Sequence, residues 1–220
     1  MRYYRIGREE YPSVTTVLSI IAKPQLLEWA KREVARRAVE ELDKLIDMSP
    51  SCALQYLVSA PAQEAEEAAL RGKQVHAVLE ATFKGGDVRV GAKAKPYLKG
   101  LQMFLEETRP EVLRSEALCY SKRGYAGTLD MLAIVDGRLA VVDLKTSKRI
   151  YPDYWLQVAA YRHADYLVAE ETVPMPPVEL SCVVLVGPDG YELGKVEDDS
   201  EDFEAFLAAL TLYKRLRGEN

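Results

Sequence analysis

The segment from Gly127 to Lys145 constrains this chain most. It reads Gly-Thr-Leu-Asp-Met-Leu-Ala-Ile-Val-Asp-Gly-Arg-Leu-Ala-Val-Val-Asp-Leu-Lys, two apolar runs joined by Asp136-Gly137. Asp-Gly between apolar runs is the strongest short-range hairpin signal, because a two-residue type I′ turn needs positive φ at both positions. Such a turn sets Val135 opposite Arg138, and counting back from there sets Asp130 opposite Asp143. Side chains alternate faces along a strand, so Lys145 shares a face with Asp143, and Thr128 lies opposite Lys145. Directly opposed residues have Cβ atoms about 4.5–5.5 Å apart. Two carboxylates at that separation repel, and strands apolar on both faces are ordinarily buried, which adds a desolvation cost. Three arrangements neutralise such a pair: one acid is protonated, a lysine pairs with them, or a hard cation binds between them. Oxygen donors suit magnesium or manganese. An isolated D-x-K on a strand is ordinarily a plain ion pair; the register match with Asp130 sets this one apart. Removing either aspartate from the cation-free protein is expected to leave folding intact or to stabilise it.

The rest of the chain divides into a helical first half and a mixed second half. Ser13 is a plausible N-cap for a short helix through Val14, Val17, Leu18 and Ile21. After the break at Lys23-Pro24, the residues Leu26, Leu27, Ala30, Val34, Ala38, Leu42 and Ile46 recur at helical spacing as far as Met48-Ser-Pro-Ser51. A further helix is predicted from about Ala62 to Phe83, a loop at Lys84–Asp87, and another helix from Ala94 to Thr108. Strands follow at Val112–Tyr120, Gly127–Val135 and Arg138–Thr146. Next come a helix from Pro152 to about Glu170, strands at Val178–Val186 and Tyr191–Val196 around Gly187-Pro-Asp-Gly190, and a helix from Glu201 to Leu216. The expected fold is α/β: a single domain over 1–220, with 1–108 mostly helical and 109–220 carrying a central mixed β-sheet flanked by helices.

Two helices bring further polar groups. His76 and Glu80 stand four apart, on one helical face, and either can add a metal ligand. Alone that spacing describes an ordinary solvated pair. Gly72 in the same helix costs about 1 kcal/mol relative to Ala, which suggests the close approach of another backbone. In the helix after the hairpin, Gln157 and Tyr161 are also four apart, positioned to reach a phosphate or a cation-bound water. His163 reads as structural or solvent-facing.

Composition excludes more than it identifies. No run of about 18 apolar residues occurs, so no membrane span is expected, and Met1-Arg-Tyr-Tyr-Arg5 carries no apolar signal region. The three cysteines, Cys52, Cys119 and Cys182, are scattered and odd in number, which suggests a reduced, cytoplasmic protein. A net charge of −5 argues against gripping nucleic acid over the whole surface but leaves room for a basic cleft. Basic residues cluster at Lys31, Arg32, Arg36 and Arg37, at Lys93, Lys95 and Lys99, and at Lys145, Lys148 and Arg149.

Taken together, G-x-x-x-H-x-x-x-E at Gly72–Glu80, G-T-L-D at Gly127–Asp130, D-L-K-T at Asp143–Thr146 and Q-x-x-x-Y at Gln157–Tyr161 resemble the RecB-type branch of the P-D-(D/E)-x-K nuclease superfamily. The opening Tyr11-Pro-Ser-Val-Thr-Thr-Val-Leu18 is similar to compact phage-type exonucleases of this branch. The resemblance implies a restriction-endonuclease-like core and hydrolysis of DNA phosphodiesters with one or two Mg2+ or Mn2+ ions. It implies Asp130, Asp143 and the backbone carbonyl of Leu144 as metal ligands, with His76 as the histidine ligand typical of the branch. Lys145 then orients or activates the attacking water, with Gln157 and Tyr161 as its supporting pair. Glu80 and Glu116 are weaker candidates, for a second ion or for an outer layer of acids. The three scattered cysteines predict no iron–sulfur cluster. No helicase domain or phosphate-binding loop accompanies the motifs. The resemblance therefore implies a small exonuclease of replication, recombination or repair, acting on DNA with a free end, alone or with a recombination or replication partner protein. A scaffold that binds nucleic acid without cutting it, and an RNA-directed or site-specific endonuclease, are the competing readings.

Overall fold

Ser13 sets the first helix, as its position predicts: its hydroxyl accepts from the Thr16 N–H (3.0 Å) at the start of α1 (Val14–Leu18). Before it stands a hairpin, β1 (Tyr3–Ile6) and β2 (Glu9–Pro12), that the sequence reading did not contain. A computed structural model describes residues 1–168 and 171–218. The next elements are α2 (Pro24–Glu40), α3 (Leu42–Ile46), α4 (Pro50–Val58), α5 (Ala60–Lys84) and α6 (Tyr97–Thr108). The second half holds β3 (Glu111–Ser121), β4 (Tyr125–Val135), β5 (Arg138–Lys145), α7 (Pro152–Arg162), β6 (Tyr166–Val168), β7 (Thr172–Pro174), β8 (Leu180–Gly187), β9 (Gly190–Val196) and α8 (Ser200–Arg217).

The chain clusters into two units, Met1–Ile21 with Gly72–Asn220, and Ala22–Arg71. The larger unit is built on a seven-stranded sheet in the order β7-β6-β3-β4-β5-β8-β9. Within it β5 and β8 run parallel, and the other neighbouring pairs are antiparallel. One sheet face packs through Leu129, Val141 and Val183 with α1, α7 and α8; Val158 of α7 and Phe206 and Tyr213 of α8 are buried there. The other face, with Met131, Val142, Leu144 and Val184, takes Val75 and Leu79 of α5 and Leu101 and Phe104 of α6. This is the mixed α/β arrangement of a restriction-endonuclease-like core. Among the described residues no helix is long and apolar enough to cross a membrane.

The hairpin forms with the turn read from the sequence. Asp136 and Gly137 have φ of 51° and 75°, and Val135 faces Arg138. The register then holds only as far as Met131↔Val142, so Asp130↔Asp143 and Thr128↔Lys145 are not ladder pairs. Past that point β4 stays with β3, and β5 continues beside β8, with Asp143↔Val183 and Lys145↔Leu185.

Three other expectations change. The helix from Pro152 stops at Arg162 rather than near Glu170, a residue outside the described ones, as is the expected domain end at Asn220. Tyr166-Leu-Val168 pairs with Leu118–Tyr120 instead, because aromatic and β-branched residues at the free edge of β3 gain a ladder there. In the smaller unit the apolar spacing through Ile46 is split at Glu41 (φ −120°, ψ 30°) between α2 and α3. Leu26, Leu27, Leu42 and Ile46 are exposed rather than packed. At Gly72 no backbone approaches: an added Cβ meets the Thr146 hydroxyl at 3.5 Å, an ordinary contact.

Candidate active site

The site lies where β4 and β5 part. Strand divergence leaves the Leu144 N–H without a ladder partner on β4, and the Asp130 carboxylate replaces it, Oδ2 accepting that N–H at 2.7 Å. Asp130 and Asp143 are both buried, and each has its own partners. Asp130 Oδ1 is 3.1 Å from Nδ1 of His76, which α5 carries over the sheet. Asp143 Oδ2 is 2.7 Å from the Lys145 ammonium on the same strand face. That oxygen is buried and accepts no well-directed hydrogen bond, so its contact with Lys145 is ionic and a lone pair is left over.

Gln157 of α7 locks this half of the site. Its amide NH2 donates to Asp143 Oδ1 (2.8 Å) and to the Tyr161 hydroxyl (3.0 Å), while its Oε1 accepts from Lys145 (3.1 Å). Gln157 and Tyr161 are buried one turn apart; Gln157 bridges Asp143 and Lys145, and the Tyr161 hydroxyl accepts from Gln157. The Lys145 ammonium also sits 4.9 Å from the centre of the Tyr154 ring, a contact the sequence reading missed. Its signal was the aromatic Tyr151–Tyr154 pair at the start of the same helix. Gly127 on β4 gives Tyr161 its seat: an added Cβ would overlap Cε1 of the ring and come within 3.1 Å of Cδ1. Gly127→Ala is expected to cost about 1–3 kcal/mol of stability by overpacking. It also pushes the phenol off Gln157. A thermal melt and an Asp143-dependent activity both left at wild-type values would remove this account of Gly127.

The opposite side of Asp130 is a cluster of potential metal donors. One donor atom each from His76, Glu116 and Asp130 fall within 4.8 Å of one another. Glu116 reaches it through a left-handed backbone (φ 49°) in mid-strand, where β3 and β4 lose their pairing between Ser115↔Met131 and Ala117↔Leu129. A non-glycine residue held there costs of order 1–3 kcal/mol and is found where a side chain has been re-aimed. Glu80 is not part of the cluster; its carboxylate binds Lys84 at 2.9 Å on the helix surface. His163 is structural, 2.8 Å from Asp199 and stacked on Phe203.

The charges divide unequally. Burial pushes Asp143 up to about 6, with Lys145 opposing and Asp130 adding to the rise. Burial also pushes Asp130 up, but the charge and hydrogen bond of His76, with Lys145 and the Leu144 N–H, outweigh it and hold that carboxyl low. Burial pulls His76 down, and the facing Asp130 more than reverses this, raising the imidazole to about 9. For Lys145 burial is likewise outweighed, by Asp143 and Asp130, and the ammonium is raised. Burial, then Asp130, raises Glu116.

These shifts predict a cation-free protein that loses stability as pH rises, in two windows. Native Asp143 keeps up to about pH 6 a proton that the unfolded chain releases above its ordinary 3.8; native His76 keeps up to about pH 9 one that is otherwise lost above 6.5. In both windows the native state binds more protons, so stability falls with increasing pH. Melting in chelator across this range checks it. Asp143→Asn should flatten the acidic limb and His76→Ala the alkaline one; unchanged slopes would sink the assignment. The expected relief on removing an aspartate is opposed at both positions: Asp143→Ala leaves the largely buried Lys145 ammonium without its carboxylate and the Gln157 amide without an acceptor. Replacing Asp130 by alanine also strips the partner from the buried Leu144 N–H, which costs about 1–3 kcal/mol.

A His nitrogen and two carboxylates around one point, with a buried Asp143 oxygen in reserve, fit a divalent cation. No family model matches the chain. The chain is similar to mitochondrial genome maintenance exonuclease 1 of Mus musculus, 27% identical over 172 residues that cover 72% of this chain and 45% of the mouse protein. It thus spans less than half the length of that relative.

Proposed function

We propose that this chain is a divalent-cation-dependent DNA exonuclease of the RecB-type P-D-(D/E)-x-K branch, with Asp130, Asp143 and Lys145 as its catalytic residues. The observation that carries the reading is the meeting, across the parted ends of β4 and β5, of a Lys145–Asp143–Gln157 triangle with the His76–Glu116–Asp130 cluster. A structural ion pair needs none of the second group. The mouse relative's name supports the exonuclease reading and DNA as substrate, and the G-T-L-D, D-L-K-T and Q-x-x-x-Y motifs support the branch.

His76, Glu116 and Asp130, together with Asp143 and the Leu144 carbonyl, would hold the cation, Mg2+ or Mn2+. A divalent cation there supplies Lewis acidity to the scissile phosphate and to the attacking water. Lys145, charged and pinned between Asp143 and Gln157, faces the negative charge that builds on the phosphate during hydrolysis. Gln157 keeps Asp143 from rotating, and Tyr161 keeps Gln157 in place. A free DNA end and a role in replication, recombination or repair, in a phage or a bacterial cytoplasm, complete the proposal.

End-labelled linear and closed circular DNA, incubated with Mg2+, Mn2+ or chelator, test it. Cation-dependent release of label from linear DNA, with circles intact and Lys145→Ala inert, is the expected result. Cutting of circles would replace the exonuclease by an endonuclease; binding without cutting under any cation would leave a scaffold.

A further inference from the structure

Beyond Lys145 the carboxyl ends of the two parallel strands open into a groove of about 420 Å3. Its walls are Ser147 and Lys148 of the β5–α7 connection, Tyr97 at the start of α6, and the β8–β9 turn Gly187–Gly190 with Tyr191 and Glu192. Crevices outside the carboxyl ends of parallel strands are where open α/β sheets take their ligands. Its lining starts at Ser147, two residues along the chain from Lys145, on the strand pair where Lys145 stands opposite Leu185, itself part of the lining.

The lining is chemically graded. On the side joined to the catalytic strand the exposed Lys148 offers a cation, beside Ser147, whose hydroxyl donates to the Arg149 carbonyl (2.9 Å). Tyr97 and Tyr191 supply aromatic surface, and Tyr191 is braced by an edge contact to Phe104 (5.6 Å) and a hydrogen bond to Glu107 (3.0 Å). Asp189 and Glu192 put carboxylates at the β8–β9 side. The cation suits a phosphate, aromatic rings suit a base or sugar face, and carboxylates accept from exocyclic amino groups on base edges. The carboxylates repel a second phosphate, so the groove fits one nucleotide unit rather than a continuous backbone track.

We propose that this groove holds the single nucleotide adjoining the scissile phosphate, its phosphate toward Ser147 and Lys148 and its base between the tyrosines and Asp189 and Glu192. The proposal rests on the nuclease reading for its place in the substrate, but the groove's chemistry stands by itself. A deoxynucleoside 5′-monophosphate, the matching nucleoside without phosphate and inorganic phosphate serve as probes, in chelator, by calorimetry and amide chemical shifts. The monophosphate is expected to bind the wild-type chain at least about tenfold more tightly than either fragment, the increment that about 1.4 kcal/mol supplies, and to shift the Ser147, Gly187 and Gly190 amides. Lys148→Glu, an exposed change, should weaken it by a similar factor at an unchanged melting temperature, and Asp189→Ala should weaken cytosine and adenine nucleotides more than thymine. Equal binding of phosphate and nucleotide, an affinity indifferent to Lys148→Glu, or no binding would overturn the groove. None of these bears on whether DNA is cut, and a chain that binds the nucleotide yet never cleaves would lose the nuclease reading alone.

Discussion

Replacing Lys145 by alanine is expected to lower DNA hydrolysis by about 10²–10⁴-fold, the usual contribution of a group placed to meet charge or protons in the transition state. The loss should fall on kcat, because the ammonium is bound by Asp143 and Gln157 in the resting protein and is not an open contact for ground-state DNA. Arginine should rescue poorly: the ammonium fills a narrow place between a carboxylate, an amide oxygen and the Tyr154 ring, where a planar guanidinium does not fit. Steady-state rates on linear DNA for wild type, Lys145→Ala and Lys145→Arg decide it. Alanine activity within about threefold of wild type would assign Lys145 a purely structural ion pair, a contribution of well under 1 kcal/mol to the barrier.

The largest stability effect is expected at Gly100 of α6, where the helix packs on the β8–β9 turn. In an isolated helix Gly→Ala stabilises by about 0.5–1 kcal/mol. Here the sign reverses, because an added Cβ on α6 overlaps the Gly190 carbonyl oxygen and comes within 2.6 and 2.8 Å of the Gly187 O and N. All three are backbone atoms of the β8–β9 turn, so no side chain can swing aside; the helix must lift from the sheet. A loss of about 3 kcal/mol, the upper part of the range for overpacking, corresponds to roughly 6–12 °C in melting temperature for a chain of this size. A melting temperature at or above wild type would mean that α6 does not approach the turn so closely. Gly100 is also one turn from Tyr97, so the same variant should distort the nucleotide groove.

How much of this was legible depended on whether the signal was local. Asp136-Gly137 fixed the turn and the register of the ladder to Met131↔Val142, since positive φ at two adjacent residues is a property of those residues. Ser13 announced its helix for the same reason. The register failed one step before Asp130, where β5 leaves β4 while keeping its parallel partner β8, a long-range arrangement that no local residue pattern announces. Four-residue spacings placed His76 and Gln157 correctly on their helices, but spacing says nothing of what those helices face. Gln157 meets the Lys145–Asp143 pair, and Tyr161 meets Gln157. Glu116 stood among the weaker candidates because no periodicity marks a residue whose position depends on one left-handed backbone torsion. In the smaller unit Leu26, Leu27, Leu42 and Ile46 recur at helical spacing, and these residues are exposed. Helical spacing predicts a stripe, and the stripe needs a partner surface before it becomes a core.

The hydrogen bond from the Leu144 N–H to Asp130 ties a single amide proton to the state of the whole cluster. Asp130 gives one oxygen to that amide and turns the other toward His76 and Glu116. Any ligand that fixes this carboxylate also fixes the acceptor that shields the Leu144 proton from solvent exchange. Opening of the strand fork and release of the ligand thus become linked equilibria, and the exchange lifetime of one backbone position reads occupancy without any assay of cleavage.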